Sequence, residues 1–338
     1  MHRLTVLLIS CVLVGCPSGN KRALVVYSPH GKEMLEDFER RYEELYPEVD
    51  VQWLDMGSQD AYDRIRTERW NPQADLWWGA PATAFAKAEA ESLLERYVPS
   101  WDSAVAAEFK SRNDFWYGTF ITPEVIMYNN RLLTEEEAPK DWDDLLDPKW
   151  KGRIIVRYPL ASGTMRTIFS AIIQREHKRT GDPEAGFRWL LKLDANTKTY
   201  AADPTQLYLK IAREEGVISL WNLTDVVFQS RVNGYPFGYV FPASGTPLIT
   251  DCVGIVRGTG NREDAVRALE CVTSIESAIK YATEFFRIPT RSDIPSSELP
   301  EWMRELSIKP MEIDWVEVEE KEKEWMKKWE DQVKGRGR

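Results

Sequence analysis

Short apolar runs of strand length alternate along this chain with segments in which apolar residues recur at helical spacing. The first series has buried-strand runs at 23–27, 49–53 and 74–79, separated by helical patterns at 32–46 and 59–70. This alternation of strands and helices requires parallel strands joined by right-handed crossovers. Because ligands bind parallel sheets at the carboxyl ends of the strands, we expect the chemistry to lie where these runs end.

A second series of the same type fills the middle of the chain. It starts at Arg153, extends to about residue 241, and contains helices at 184–192 and 204–215 and a strand at 217–220. The Trp-rich tail at 301–333 carries many charge pairs four residues apart, so we predict packed helices with solvated faces there. Further strands are predicted between and after the two series, at 115–120, 125–128 and 250–256.

The stretch 153–173 combines a strand, a glycine-containing turn and the beginning of a helix. The apolar run at 154–156 leads into a small polar loop, Ser162-Gly163-Thr164, after which helical spacing starts at Met165. Such a turn directs free backbone N–H groups and the positive end of the helix dipole at a ligand, and Gly163 permits close approach. The alternative is that Ser162 or Thr164 only caps the helix.

The candidate binding residues lie at the predicted strand ends of both series. Two lobes whose strand ends face each other would form a cleft with helix N-termini on both sides. His30 is either a donor to an anion or a structural residue of its turn. Trp77 and Trp78 point to opposite sides of a strand, so one belongs to the core and the other is a candidate for the cleft wall. The set is Ser28, His30, Trp77, Trp78, Gly79, Ser162, Gly163, Thr164, Trp221, Asn222 and Asp225.

The N-terminus has the pattern of a bacterial lipoprotein signal. A basic start and a short apolar run lead to the sequence LVGC at 13–16, in which Cys16 would be acylated and become the new N-terminus. We therefore predict a signal peptide at 1–15, a lipid anchor on Cys16 and a polar tether at 16–22. The alternative is an ordinary signal peptide that contains a cysteine.

Composition narrows the class of protein. About 320 residues remain after the signal, more than one core comfortably holds, so two domains are expected. The net charge is −10 and the basic residues are scattered, which argues against a nucleic-acid partner. The 14 tryptophans point to a carbohydrate-like or cationic ligand, or to a large surface between lobes.

Two cysteines remain in the body of the mature chain, Cys252 and Cys271. In an exported protein such a pair can form a disulfide bond, and an apparent strand and a following helix could bring these two together. Two buried thiols that pack as small apolar groups are the equal alternative. Both interpretations stay open at this point.

Catalysis finds little support in the sequence. It contains no G-x-S-x-G, no H-E-x-x-H and no P-loop, and its three histidines include His2 in the predicted signal. We therefore expect a binding protein with no cofactor and no metal centre.

Five segments of the chain form a recognisable set: VYSPHGKE at 26–33, ADLWWG at 74–79, LLDPKWKG at 145–152, ASGT at 161–164 and GTPLITD at 245–251. In this order they resemble the extracellular solute-binding proteins of bacterial ABC importers. The most similar branch includes binders of ferric ion, phosphonates, thiamine and sugar phosphates. The resemblance implies an α/β, bilobed clamshell of the type II periplasmic-binding-protein class, with two parallel-sheet lobes joined by crossed hinge strands.

The resemblance also implies a domain division and a set of partners. Lobe 1 would comprise 23–121 and 246–292, lobe 2 would comprise 122–245, and a helical segment would follow at 293–338. The ligand loops would be Ser28 to His30 and Trp77 to Gly79 in lobe 1, and Ser162 to Thr164 in lobe 2, faced by Trp221, Asn222 and Asp225. We expect a monomer, anchored at the cell envelope, that delivers a small molecule to a membrane permease.

One departure bears on the ligand. Iron-binding members carry adjacent tyrosines after the strand that corresponds to 217–220, where this chain has Trp221-Asn222-Leu223. The Ser162-Gly163-Thr164 turn favours an anionic oxygen cluster, so we expect a phosphorylated or carboxylated organic solute. A ferric-ion-binding lipoprotein is the alternative, as is a lipoprotein that presents its ligand to a membrane sensor.

Overall fold

The computed structural model of the protein describes residues 21–337. The predicted signal peptide, Cys16 and most of the tether lie outside these residues. Within 21–337, no helix combines the length and the apolar character that crossing a membrane would need.

The first part of the chain forms the predicted series of strands and helices. The first strand begins at Arg22, so the last residue of the predicted tether is already part of the sheet. The elements are β1 (Arg22–Ser28), α1 (Lys32–Leu45), β2 (Val49–Asp55), α2 (Ser58–Thr67), β3 (Leu76–Pro81), α3 (Ala82–Ala90) and a short β4 (Leu94–Glu95).

The middle of the chain contains the second predicted series and one strand that the apolar pattern did not reveal. That strand, β7, is rich in threonine and lies between two helices. The elements are β5 (Tyr117–Asn129), β6 (Ile154–Arg157), α4 (Gly163–Thr180), α5 (Ala185–Asn196), β7 (Thr197–Ala201), α6 (Pro204–Ala212), β8 (Ile218–Asn222), α7 (Leu223–Arg231) and β9 (Phe237–Val240).

The last part of the chain returns to the first sheet and then ends in helices. Its elements are β10 (Leu248–Val256), α8 (Arg262–Val272), α9 (Ile275–Glu284), β11 (Ile288–Pro289), α10 (Glu301–Arg304) and α11 (Trp315–Gln332).

The strand pairing confirms the bilobed fold that the sequence predicted. β1 lies parallel to β2 and β3 in one sheet, and β6 lies parallel to β7 and β8 in the other. β10 runs antiparallel to β3, and β5 joins the two sheets because it pairs antiparallel with β10 and with β8. The strand order is β2-β1-β3-β10-β5-β8-β6-β7, so each lobe is a largely parallel sheet and the connection between them is antiparallel.

β5 is one continuous strand of 13 residues, whereas the sequence suggested two strands separated by Pro123. Its residues 117–123 pair with β10, residues 120 and 121 also pair with β11, and residues 124–129 pair with β8 and β9. Pro123 lies where the strand passes from one set of partners to the other. A residue without an N–H group is tolerated there because little ladder hydrogen bonding is lost.

Each lobe has its own apolar core, and the sheet of lobe 1 carries one cluster on each face. Trp77 belongs to the cluster with Phe85, and Trp78 belongs to the opposite cluster with Phe38. Lobe 2 is built around a single large cluster that includes residues of α11. We propose the division given above, with 23–121 and 246–292 as lobe 1 and 122–245 as lobe 2, because the clusters separate along it, except that Phe286 packs in the lobe 2 cluster.

The two cysteines are free thiols. Cys252 is buried in the cluster of lobe 1 that contains Trp77, and Cys271 packs against the cluster that contains Trp78. The two thiols therefore lie against opposite faces of the sheet, and the interpretation as separate packed thiols holds.

Trp329 anchors the C-terminal helix to lobe 2. Its ring is fully buried and makes edge contacts with Phe169 and Tyr200, at centroid distances of 5.6 and 5.2 Å. We predict that Trp329→Ala lowers the free energy of unfolding by about 3–5 kcal/mol because it leaves a cavity in this cluster. Urea denaturation measures the loss.

Trp70→Ala is the matched control, since Trp70 is 87% exposed. It should change the free energy of unfolding by no more than about 0.5 kcal/mol. Equal losses in the two variants would contradict the assignment of α11 to the folded core of lobe 2.

Candidate functional site

A cavity of about 710 Å³ lies between the two lobes. Its walls come from the carboxyl ends of the parallel strands in both lobes, as the order of the elements predicted. Lobe 1 and the hinge strands contribute Pro29, His30, Gly31, Lys32, Glu33, Met34, Asp55, Met56, Gly57, Ser58, Asp60, Pro81, Thr122, Ile249, Asp251, Phe285 and Arg287. Lobe 2 contributes Arg157, Ala161, Ser162, Gly163, Thr164, Asp203, Pro204, Thr205, Tyr208, Trp221, Asn222, Asp225, Phe228, Gln229, Asn233 and Tyr235.

The Ser162-Gly163-Thr164 turn is a helix cap and also part of the cavity wall. The Ser162 hydroxyl accepts a hydrogen bond from the backbone N–H of Met165 at 3.3 Å, so Ser162 is the N-cap of α4. Gly163 and Thr164 occupy the first helical turn, whose N–H groups have no partner within the helix. These donors, together with the dipole of the 18-residue α4, face the cavity.

Gly163 lies directly against lobe 1. A Cβ atom built on Gly163 would lie 3.0 Å from Cγ of Pro81 and 3.6 Å from Oγ of Ser58. A side chain here would therefore push against the opposite wall, so glycine allows the two lobes to approach each other at this turn.

Arg157, which sequence reasoning missed, ends β6 beside this turn and lines the cavity. Its residue surface is only 7% exposed, and its Nη1 donates to the carbonyl oxygen of Ala201 at 3.2 Å. Its Nε has no hydrogen-bond partner, and no ion pair within residues 21–337 involves this guanidinium. Burial lowers the pKa of Arg157, but an arginine side chain keeps its charge in proteins. The result is a buried cation that no carboxylate contacts directly, although the charges of Asp203 and Asp60 act on it from a longer distance.

Arg287 is a second cation that sequence reasoning missed. It follows α9 and donates from Nη1 to the Thr224 hydroxyl at 2.9 Å, while its Nη2 lies 3.5 Å from Oδ1 of Asp225. Because Arg287 follows a lobe 1 helix and both partners lie in α7, this contact crosses between the lobes. The only sequence signal for either arginine is a charged residue at the end of an apolar run or helix.

Asn222, Trp221 and Asp225 form one hydrogen-bonded group at the end of β8. The Asn222 side chain caps α7 by accepting from the backbone N–H of Asp225 at 2.8 Å, and its amide donates to the Asp225 carboxylate at 2.9 Å. Trp221 Nε1 donates to the hydroxyl of Tyr208, which in turn donates to Asp225. The structure thus brings the three predicted residues together on the lobe 2 wall.

His30 lines the cavity, and neighbouring residues of lobe 1 hold both its backbone and its ring. The Ser28 hydroxyl accepts from the backbone N–H of His30 at 3.2 Å, and the ring packs edge-on against Trp78 and Phe120. Gly79 has a φ of +88°, and a Cβ there would lie 2.4 Å from Nε2 of His30. Burial, and secondarily the charge of Arg287, lower the pKa of His30 well below its ordinary value.

The structure does not place Ser28, Trp77, Trp78 or Gly79 on the cavity wall. Both tryptophans are fully buried, so neither is available for the cleft as one of them was expected to be. Trp77 stacks on Phe85 at 4.0 Å on one face of the sheet, and Trp78 supports His30 on the other. The physical reason is that helices cover both faces of this central strand.

The cavity carries more carboxylates than cations. Its acidic residues come from both lobes and the hinge, and burial raises the pKa of Asp55 and of Asp251. No three His, Cys, Asp or Glu side chains in the described part of the chain are arranged to hold a metal ion. The acidic set is Glu33, Asp55, Asp60, Asp203, Asp225 and Asp251, and the basic set is Lys32, Arg157 and Arg287.

The sequence and the fold are both similar to those of known proteins. The family model for "Bacterial extracellular solute-binding protein" matches residues 71–303. A probable ABC transporter periplasmic-binding protein of Sinorhizobium fredii is 24% identical, over 92% of this chain and 86% of its own length. A putative 2-aminoethylphosphonate-binding periplasmic protein of Salmonella typhimurium is 26% identical, over 85% of this chain and 84% of its own.

Solved structures show the same fold. The periplasmic binding protein AfuA of Actinobacillus pleuropneumoniae, with fructose-6-phosphate bound, has a TM-score of 0.81 at 24% identity, covering 94% of this chain and 100% of its own. A ferric binding protein of Campylobacter jejuni has a TM-score of 0.77 at 17% identity, covering 91% and 98%. These relatives and neighbours are binding proteins and not enzymes.

The environment of His30 predicts a specific pH dependence of stability. Because its pKa is lower in the folded chain than the ordinary value near 6.5, the unfolded chain binds the proton more tightly. The stability contributed by the neutral ring is thus present above about pH 6.5 and is lost as the pH falls toward the folded-state pKa. Wild type should lose up to about 1.4 kcal/mol per pH unit in this window relative to His30→Asn.

Denaturant unfolding between neutral pH and pH 5 measures this difference. His177→Asn is the control, because His177 is exposed on α4. The carboxyl groups with raised pKa values act in both proteins and cancel in the comparison. If the free energy of unfolding depends on pH equally in wild type and in His30→Asn, the ring is not kept neutral by its surroundings.

Proposed function

Because the chain belongs to the bacterial extracellular solute-binding proteins, we propose that it captures a small anionic organic solute between its lobes. Members of this family act outside the cytoplasm and serve ABC transport systems. The finer proposal is that the solute carries a phosphate, phosphonate or carboxylate group, and that the protein delivers it to a membrane permease.

One observation carries the proposal: the buried Arg157 guanidinium lines the cavity without a carboxylate partner. Burying a cation costs free energy unless it is paired, and backbone carbonyl oxygens compensate only part of that cost. An anion at this position would pair with Arg157 and also accept hydrogen bonds from the first turn of α4. Both groups stand on the same wall of lobe 2.

The acidic residues of the cavity favour an organic ligand with hydrogen-bond donors. Six carboxylates face three cations, so a purely anionic ligand would meet repulsion away from Arg157 and the α4 turn. Hydroxyl or ammonium groups on the same molecule would bind these carboxylates. This combination agrees with the aminophosphonate and the sugar phosphate named for a relative and for a structural neighbour.

The residues proposed to contact the ligand are a subset of those expected from the sequence, with two additions. Ser28, Trp78 and Gly79 are proposed to support His30 instead of touching the solute. Trp77 is proposed to pack in the core of lobe 1, on the opposite face of the sheet. The proposed contacts are His30, Arg157, Ser162, Gly163, Thr164, Trp221, Asn222, Asp225 and Arg287.

Ferric ion is the second candidate ligand, because a structural neighbour binds iron. Two features argue against it: Trp221-Asn222-Leu223 stands where adjacent tyrosines occur in iron binders, and the described residues contain no group of three metal-ligating His, Cys, Asp or Glu side chains. A membrane sensor in place of the permease would use the same cavity. A permease and an ATPase gene beside this one would favour import.

We predict that Arg157→Gln lowers the affinity of the protein for its anionic solute. Native mass spectrometry of the purified protein identifies any bound solute, and calorimetry then compares sugar phosphates, phosphonates, organic acids and Fe³⁺. Removal of one charge-assisted contact should weaken the bound anion by about 1.5–3 kcal/mol, or roughly 10- to 150-fold. Thr164→Ala should cost about 1–3 kcal/mol if its hydroxyl donates to the ligand.

Arg153→Gln is the matched control, since Arg153 stacks on Trp150 away from the cavity. Its affinity should equal that of wild type. Unchanged affinity in both Arg157→Gln and Thr164→Ala, or tight and coloured binding of Fe³⁺, would refute the anionic ligand.

We also propose that Cys16, which lies outside the described residues, carries the lipid anchor at the cell envelope. Several acyl chains hold a protein far more firmly than one reversible chain. Cys16→Ser should release the protein from membranes, or leave it unprocessed, without changing ligand affinity. Membrane fractionation after a high-salt wash tests this, and a mutant that stays tightly associated would argue against a lipid anchor.

A further inference from the structure

The buried apolar side chains of the C-terminal helix α11 belong to the core of lobe 2, although the helix also packs beside α3 of lobe 1. Trp329 and Met326 are buried in the lobe 2 cluster. Beyond the helix, the backbone N–H groups of Gly335 and Gly337 both donate to the Asp194 carboxylate at 2.9 Å. A movement of lobe 2 would therefore carry α11 with it.

One side chain of α11, Glu322, faces the other lobe. Its Oε2 accepts from Nζ of Lys87 at 3.2 Å and from Nη1 of Arg166 at 3.3 Å. Lys87 belongs to α3 of lobe 1, and Arg166 belongs to α4 of lobe 2. A single carboxylate oxygen thus joins cations from the two lobes, and the Glu322 side chain is only 8% exposed.

The ion triad lies at the rim where the two lobes meet. A small pocket around it is lined by residues of both lobes, among them Ser58 and Pro81 from lobe 1 and Gly163 from lobe 2. Gly163 is the turn residue at which an added Cβ atom would lie only 3.0 Å from Cγ of Pro81. Any rotation that opens the cleft at this rim would separate Lys87 from Glu322 while Arg166 stays with it.

We propose that Glu322 is a positioning residue that holds the lobes in the closed arrangement by bridging Lys87 and Arg166. The inference rests on the proposed capture of a solute by lobe closure, but not on the identity of the solute. Opening would leave the carboxylate with one of its two partners. Because the triad is largely withdrawn from solvent, the loss of one partner matters more than in an exposed pair.

The bridge would act on ligand release more than on ligand recognition. Neither Lys87 nor Glu322 lines the main cavity. Neutralising either one should shift the lobes toward the open arrangement and speed the release of a bound solute about 5- to 50-fold, as loss of a buried charge pair does at an interface. The association rate should change little.

The test measures the distance between the lobes by pulsed electron paramagnetic resonance. Spin labels at Trp70→Cys in lobe 1 and Lys151→Cys in lobe 2, in a Cys271→Ala background, occupy exposed positions. Distances are recorded for the protein alone and with fructose 6-phosphate or inorganic phosphate as probes. Lys87→Met, Glu322→Gln and the double variant should all shift the population toward longer distances. The double variant should shift it no further than either single one.

Asp331→Asn is the matched control, because the Lys327–Asp331 pair lies on the same helix and is exposed. It should leave the distances unchanged, and urea unfolding shows whether any variant is simply destabilised. Lys87→Met keeps the test valid if Glu322→Gln folds poorly, since Lys87 is partly exposed. Identical distance distributions in wild type, Lys87→Met and Glu322→Gln, with and without the probes, would overturn the proposal. If only the anion assignment is wrong, none of the probes binds. The variants then still shift the distances between the labels in the free protein.

Discussion

The arrangement of the two lobes depends on one strand that belongs to both of them. β5 pairs with β10 and β11 in its first half and with β8 and β9 in its second half, so its backbone hydrogen bonds are shared between two sheets. At the crossing, the Thr122 hydroxyl donates to the Asp251 carboxylate of β10 at 2.6 Å. The pairing of β10 with both neighbours shifts register beside Asp251. The floor of the cavity is therefore tied together by hydrogen bonds, while its walls depend on the angle at which the two sheets leave this crossing.

The electrostatic design of the cavity follows from this geometry. An acidic protein cannot attract an anion through its net charge, so the attraction has to be local and pre-arranged. In the proposed complex, Arg157 supplies it at the end of β6, where carbonyl oxygens hold the guanidinium in place without neutralising it. The carboxylates in the cavity make the binding of a simple anion less favourable. They make the binding of a ligand with hydrogen-bond donors more favourable. We therefore propose that the site discriminates between solutes by the pattern of their charges as well as by the sign of the charge.

Contacts between the lobes occur at the cavity floor and at its rim, and they differ in kind. At the floor, Arg287 joins α7 through Thr224 and Asp225 next to the hinge, where little movement is needed on opening. At the rim, Lys87 of α3 and Glu322 of α11 form an ion pair in which the Glu322 side chain is buried. In the proposed closed arrangement, this pair gives the C-terminal helix a part in closure although the helix lies outside both parallel-sheet series.

The sequence by itself determined the elements and their order, because apolar period and turn chemistry are local properties of the chain. The runs at 23–27 and 154–156 became parallel strands, and the Ser162-Gly163-Thr164 turn became a helix N-terminus on the cavity wall. β7 escaped prediction because its threonine-rich strand has no continuous apolar run. Which side chains reach the cavity was decided only by tertiary structure. Trp78 is sealed behind His30, and Arg287 meets Thr224, which is 63 residues away in the chain. Such outcomes depend on how the sheets, helices and lobes pack together, and no local pattern encodes that packing.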